Sequence, residues 1–184
     1  MKLLLKFIFS FIPDKRLRKR MRRKSLVYWY TRIASRQAAS FGVNSLATAQ
    51  CSLSSRTFVG DYTCLTDVAV LGGGEVRIGN HVSTGPGLVI QTQNHNYKGD
   101  LLPYDETFVC KDVVIEDAVW IGMNVLILPG THIGEGAIIQ AGSVVHGNIP
   151  PLSIAGGNPA KVFASRDSEH YNALKSKAAY ISFT

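Results

Sequence analysis

Five histidines are the side chains of this 184-residue protein best suited to move a proton near neutral pH, because imidazole can serve there as either acid or base. His95 closes the polar run Thr92-Gln93-Asn94-His95 and alone sits where a regular pattern in the chain breaks. By position alone His95 reads as a solvated loop histidine, although a neutral imidazole there is chemically able to take a proton. An acid should orient it. Asp67, Asp100, Asp105 and Glu106 are all candidates that no spacing separates, and Asp67 is preferred because it lies on an earlier repeat near the expected groove. His81 and His132 fall between expected strands and read as surface side chains, while His170 lies in the tail. Other chemistries find less support. There is no G-x-S-x-G elbow for a nucleophilic serine. Cys51, Cys64 and Cys110 are odd in number and form no Cys-x-x-Cys pair, which argues against a disulfide framework or a cysteine zinc site and for a reducing compartment. No histidine lies between His95 and His132, so the close pair of a three-histidine zinc site is missing, and no metal is expected.

The element that must position His95 is a six-residue repeat. From Ile115 an aliphatic residue recurs at Ile121, Ile127, Ile133, Ile139 and Val145, and four places after each of the first five stands Val119, Val125, Thr131, Ala137 or Ser143. The phase also appears at Ile78, Thr84 and Ile90, and before that at Ala47, Leu53, Val59, Leu65 and Leu71. The step from Leu71 to Ile78 is one residue too long, and Gly72-Gly73-Gly74 is where the extra residue is expected. Neither a helix nor an alternating strand repeats every six residues. Short strands joined at corners do, three to a coil, with the aliphatic residues stacked inside. The expected fold is therefore all-β, a parallel β-helix of about five coils between Phe41 and Ile154. Hydrophobic residues at 46%, charged residues at 18% and seventeen glycines fit a turn-rich globular protein and exclude wholesale disorder. Between Ile90 and Ile115 the phase fails across a polar stretch, so a loop over residues 92–112 should leave the prism, carrying His95.

The net charge of +7 is unevenly placed. Residues 1–40 hold twelve of the twenty Lys and Arg and a single acid, Asp14. Asp14 to about Gln37 reads as a basic helix with Leu17, Met21, Ser25, Tyr28 and Arg32 along one face. Ahead of it Leu3 to Ile12 is oily, with Lys2, Lys6 and Ser10 every four residues, and Pro13 ends the segment. That stretch is too short to span a bilayer, and no cleavage site follows it. Residues 1–24 are expected to contact a membrane surface as a peripheral anchor, and nucleic acid is not expected, because phosphate binding needs far less apolar surface. The domain reading is a basic arm at 1–40, a β-helix at 41–166 and a tail at 167–184 with a short C-terminal helix.

The chain resembles the hexapeptide-repeat acyltransferases, in particular sugar O-acetyltransferases of the maltose and galactoside type and relatives that modify bacterial surface polysaccharides. The likeness rests on Thr92-Gln93-Asn94-His95, on Val119-Trp120-Ile121-Gly122, and on Ile149-Pro150-Pro151 followed by Ala155-Gly156-Gly157-Asn158-Pro159-Ala160-Lys161-Val162, which together span about residues 41–166. It implies a left-handed coil, a homotrimer, acetyl-CoA in a groove between neighbouring prisms, and His95 as the base that lets a sugar or glycolipid hydroxyl attack the thioester directly. It also implies Trp120 beside the pantetheine arm, with the small Ala141 and Gly142 letting that arm lie close to the backbone, and Lys161 near the CoA phosphates. Where sugar acetyltransferases commonly carry Thr-Lys, this chain has His146-Gly147, so His146 or Arg166 is the expected substitute at the 3′-phosphate. The implied setting is the cytoplasm, at the inner face of the membrane. An N-acetyltransferase acting on an amino sugar, or a non-catalytic repeat scaffold presenting the arm, are the alternatives.

Overall fold

A computed structural model describes residues 1–183; the last residue of the expected 167–184 tail, Thr184, lies outside the described residues. The repeat closes into the expected parallel β-helix of about five coils with three faces. Parallel strands at Ser40–Phe41, Thr57–Val59, Val76–Ile78, Val113–Ile115, His132–Ile133 and Asn148–Ile149 stack as the first face. Leu46–Ala47, Cys64–Leu65, Ser83–Thr84, Trp120–Ile121, Ile138–Ile139 and Ser153–Gly157 form the second, which Ala160–Ser165 extends by antiparallel pairing. Val68–Leu71, Leu88–Gln91, Leu126–Ile127 and Val144–Val145 form the third.

The reason for the period is visible in burial. Ile115, Ile121, Ile127, Ile133, Ile139 and Val145 each expose at most 1% of their surface, and the residues two places before the aliphatics, among them Val119, Val125 and Ala137, are equally buried. Six residues thus supply one inward aliphatic, one outward residue, a second inward residue and a corner. Removing each aliphatic from water is the main source of stability, at roughly 1.5–3 kcal/mol per side chain. Many corners use a left-handed backbone. Glycine takes it without strain at Gly87, Gly130, Gly136 and Gly142, and Asn, Asp or His holds it at Asn44, Asp67, His81 and Asn124.

One phase assignment is corrected. Leu71 is 52% exposed, and Val70 takes the inward place, pairing with Ile90. The corner at Thr66-Asp67 is one residue short, and the bulge at Gly72-Gly73-Gly74 makes up for it, so the strand shifts register and every side chain along it changes sides.

The basic segment folds as helix α1 (Lys2–Ile8), a tight turn at Phe9–Phe11 and helix α2 (Lys15–Gln37). Asp14 caps α2, its Oδ1 accepting from the backbone N–H groups of Arg16 at 2.7 Å and Leu17 at 3.0 Å. The face that meets the prism is Leu26, Tyr30, Ala34 and Ala38, spaced by four, and it closes the open end of the first coil. The face named from the sequence is the other one: Leu17, Met21 and Tyr28 are exposed, and the Arg32 guanidinium donates to the Tyr28 hydroxyl. At the other end α3 (Ser168–Ser176), capped by Asp167, lies along the corner of the last coils, and the chain then runs down the second face. No described helix is long and apolar enough to cross a membrane.

Candidate active site

The polar stretch after the third coil is an excursion built on an antiparallel hairpin, Gln93–His95 against Phe108–Cys110. It leaves the corner between the third and first faces. Three glycines in the coil below make room for its base: a Cβ on Gly72 would meet Thr92 Oγ1 at 2.6 Å, and one on Gly74 would meet the Lys111 carbonyl oxygen at 2.8 Å. Buried Thr92 ties the layers, donating from Oγ1 to the Leu71 carbonyl and accepting from Gly74 N–H. Gln93 Oε1 accepts from Gly73 N–H at 2.9 Å.

His95 stands on this platform. Its ring stacks on Tyr104 with centroids 3.8 Å apart and leans on Phe108 at 4.7 Å. Stacking fixes the ring plane and leaves its nitrogen-bearing edge free to meet a substrate. Beside it a cleft of 250 Å³ is lined by Leu71, Gln91, Gln93, Asn94 and His95. Gln91 Nε2 donates to Asn94 Oδ1 at 3.1 Å, which presets the amides at the cleft. Leu71 is exposed because it forms this wall.

The four candidate acids are placed differently. Asp105 belongs to the loop itself: its Oδ1 accepts from Thr107 Oγ1 at 2.5 Å and from Thr107 N–H at 2.9 Å, and the Thr107 hydroxyl bond holds its carboxyl below the usual carboxylate range. Asp67 holds the left-handed corner at the start of Val68–Leu71. It therefore stands on the opposite edge of the third face from the base of the His95 hairpin, a strand's length of roughly 13 Å away. Within one chain the structure does not bring them together, and no acid hydrogen-bonds His95 among the described residues.

A second cleft, of 480 Å³, runs along the second face toward its corner with the third, lined by Trp120, Gly122, Met123, Ala141 and Phe163 among others. Trp120 is 54% exposed and lines this groove. Gly122 is required by packing, since a Cβ there would lie 2.5 Å from Ala141 N. Gly142, next along, has φ +73° with open space where a side chain would project, so the backbone demands glycine and the surface there stays low. Lys161 is exposed on the antiparallel strand that extends this face. His146 is exposed at the corner between the third and first faces. Arg166 is already engaged: its Nε donates to the Gly136 carbonyl at 2.7 Å and its guanidinium lies over Tyr171.

Sequence reading missed the tail's contacts. His81 is clasped between Tyr62 and Tyr180, at 5.1 and 3.8 Å, rather than standing free at the surface. Glu135 accepts from Tyr171 Oη and pairs with Lys175; burial first and Glu135 second push the Tyr171 phenol far up, and the Glu135 bond raises Lys175. Tail residues and prism residues separated by 36 positions or more left no local signal of this. His132 pairs with Glu116 at 2.7 Å on the first face. No group of three or more His, Cys, Asp and Glu is placed to hold a metal among the described residues.

Residues 112–147 match the bacterial transferase hexapeptide model of six repeats. Over that stretch the chain carries the repeat of the bacterial hexapeptide transferases, and its fold is similar to hexapeptide-repeat acetyltransferases. It is 40% identical to a galactoside O-acetyltransferase of Lactococcus lactis over 88 residues, 48% of this chain and 42% of that protein. Its fold matches a hexapeptide-repeat acetyltransferase of Vibrio cholerae complexed with acetyl coenzyme A, at 29% identity and a TM-score of 0.62 over 90% of this chain and 86% of that one. It also matches a maltose O-acetyltransferase of Clostridium difficile, at 27% identity and a TM-score of 0.63, covering 91% and 85%. The chain spans about half the length of the curated relatives it matches.

Proposed function

We propose that this chain transfers an acetyl group from acetyl-CoA to a sugar hydroxyl, with His95 as general base. The observation that carries the reading is the placement of two clefts on the two edges of one face. His95 and its amides lie at one corner of the third face, and the Trp120–Ala141 groove opens toward the other. A donor and an acceptor bound at those places meet when one copy's groove faces another copy's His95, which supports a trimer with shared sites. The same packing carries Asp67 of one copy toward His95 of the next, and Asp67 keeps its proposed orienting role on that condition.

The fit to the donor is chemical. An apolar groove floored by small residues accepts a pantetheine arm, Trp120 offers it a flat wall, and Lys161 supplies a point charge for phosphate. His146 is free to add to that charge when protonated, whereas Arg166 has only its outer nitrogens to offer. In the reaction the acceptor hydroxyl gives its proton to His95 as its oxygen bonds to the thioester carbonyl carbon. The tetrahedral oxyanion then collapses, the carbon–sulfur bond breaks, and the departing thiolate takes the proton back from the imidazolium. No covalent enzyme intermediate is needed. Neutral amides, offering the Gln91 carbonyl oxygen and the Asn94 amino group, suit the hydroxyls of a sugar better than they suit a charged acceptor.

We place the acceptor on a glycan or glycolipid assembled at the inner membrane face. α1 exposes Leu3, Leu4, Phe7 and Ile8, and Phe11 follows it, while eight Lys and Arg crowd residues 15–24. An oily helix beside a basic one suits an anionic leaflet, where each base adds about 1 kcal/mol before screening.

The test is His95→Ala with acetyl-CoA and a panel of free sugars, nucleotide sugars and extracted glycolipids. Turnover should fall by about a hundredfold or more with donor affinity little changed. Near-parental turnover in His95→Ala would remove the base assignment. Preference for an amino sugar would convert the reading to N-acetylation, and no turnover with any acceptor would leave a scaffold.

A further inference from the structure

A cavity of 600 Å³ lies between α2 and the second face of the first coil, away from both clefts described above. Val27, Leu46 and Phe183 give it apolar walls, and Arg20, Arg23 and Lys24 stand around it. Its volume falls within the range of about 300–1,000 Å³ typical of small-molecule pockets. Arg20, Arg23, Lys24 and Val27 follow the spacing of one helix face, so α2 itself turns the three cations and the apolar wall to the same side. The ion pairs among the described residues are Arg77–Glu75, His132–Glu116 and Lys175–Glu135, all elsewhere, so none of the three cations has a carboxylate partner. Like charges three and four residues apart on a helix repel. Folding gathers them, and a bound anion relieves the repulsion.

We propose that this cavity binds a lipid with one apolar chain and a phosphate or diphosphate head. The chain lies between Val27, Leu46 and Phe183, and the head is held by the forked guanidinium groups of Arg20 and Arg23 with Lys24 as an added point charge. Free phosphate would leave the apolar walls wet, and a neutral lipid would leave the cations unmatched. The position supports an amphiphile further: α1, with its exposed apolar side chains, packs on α2, the helix that lines the cavity, so the arm that would meet a bilayer also carries the site. This site goes beyond the acetyl-transfer reading and does not depend on it.

The test is calorimetric titration of the full chain with farnesyl phosphate kept in monomeric form, alongside farnesol and inorganic phosphate. Saturable binding of one molecule per chain is expected, at least tenfold tighter than either single-feature ligand. Val27→Trp, which fills the cavity, and the double variant Arg20→Gln/Arg23→Gln should each weaken it at least tenfold. Leu46→Trp is a second filler should Val27→Trp not fold, and the charge variant decides if neither does. Farnesol binding as tightly as farnesyl phosphate, filled variants binding like the parent, or uptake that never saturates would each overturn the proposal. The last result would mean that the basic arm merely partitions onto lipid. Since binding is read directly, an absence of acetyl transfer leaves this test intact.

Discussion

His95 owes its place to glycines it does not touch. Gly72 and Gly74 let the base of the hairpin lie flat on the coil below, and Tyr104 and Phe108 then fix the ring above it. A methyl at Gly74 would sit 2.8 Å from the Lys111 carbonyl oxygen and 2.9 Å from Thr92 Cβ, so backbone must move. Gly74→Ala should therefore lower turnover by about tenfold or more through misplacement of His95 while donor affinity holds, a split that steady-state kinetics reads directly. Across the face the donor contacts should separate by chemistry. Lys161→Ala should weaken CoA more than a short pantetheine thioester, because it removes a charge partner of phosphate, whereas Trp120→Ala should weaken both. Equal losses for every donor in Lys161→Ala would make that lysine structural.

α2 does two jobs along its length. Its second half is part of the core: Tyr30 and Ala34 are 8% and 0% exposed, and the Thr31 hydroxyl accepts from Ala47 N–H at 2.9 Å. Its first half carries the basic cluster and borders the cavity lined by Leu46 and Phe183. Deleting residues 1–24 should leave a folded prism that still acetylates a small acceptor but no longer floats with anionic vesicles. Packing on the first coil, rather than intrinsic helicity, holds the remaining turns. Tyr30→Ala should instead cost about 3 kcal/mol in thermal or denaturant unfolding, because it uncaps the end of the aliphatic column. Vesicle flotation by the truncated chain would remove the anchor reading, and its failure to fold would make the whole arm a packed element.

At the scale of the molecule the three faces differ in what they show to water. The outward positions of the third face form a ladder, Ala69 beside Val89, Val89 beside Leu126, Leu126 beside Val144, with no charge in it. The first face shows Arg77, His132 and Asn148 instead, with Arg77 stacked on Phe58. An uncharged ladder between the two clefts is the surface that shared sites require to be covered. Leu126→Lys with Val89→Lys should turn a trimer into 20.1 kDa monomers by light scattering and abolish acetyl transfer without unfolding the prism, since both side chains point away from the core. A parental protein that is monomeric and fully active would dismiss the shared site.

The β-helix was legible because the repeat is local physics. Each hexad must hide its aliphatic residue in the same column, so Ile115 to Val145 declared the coil count and the phase break declared the excursion at His95. The spacing of Leu17, Met21, Ser25, Tyr28 and Arg32 declared α2 as a helix for a similar reason, since successive turns are neighbours in the chain. What stayed hidden depends on contacts between distant residues. The slip that turns Val70 inward and Leu71 toward the cleft follows from pairing with Leu88–Gln91, and no short window of sequence reports a strand partner twenty residues away. The helix face that packs was missed because Tyr30 and Ala34 differ little from Tyr28 and Arg32 until the prism's open end selects them. The clasp of His81 by Tyr62 and Tyr180, the engagement of Arg166 by Gly136, and the separation of Asp67 from His95 were likewise decided in three dimensions. Residue type and spacing set what each segment can form, but the partner of a side chain on a corner or a tail is chosen only when the coils stack.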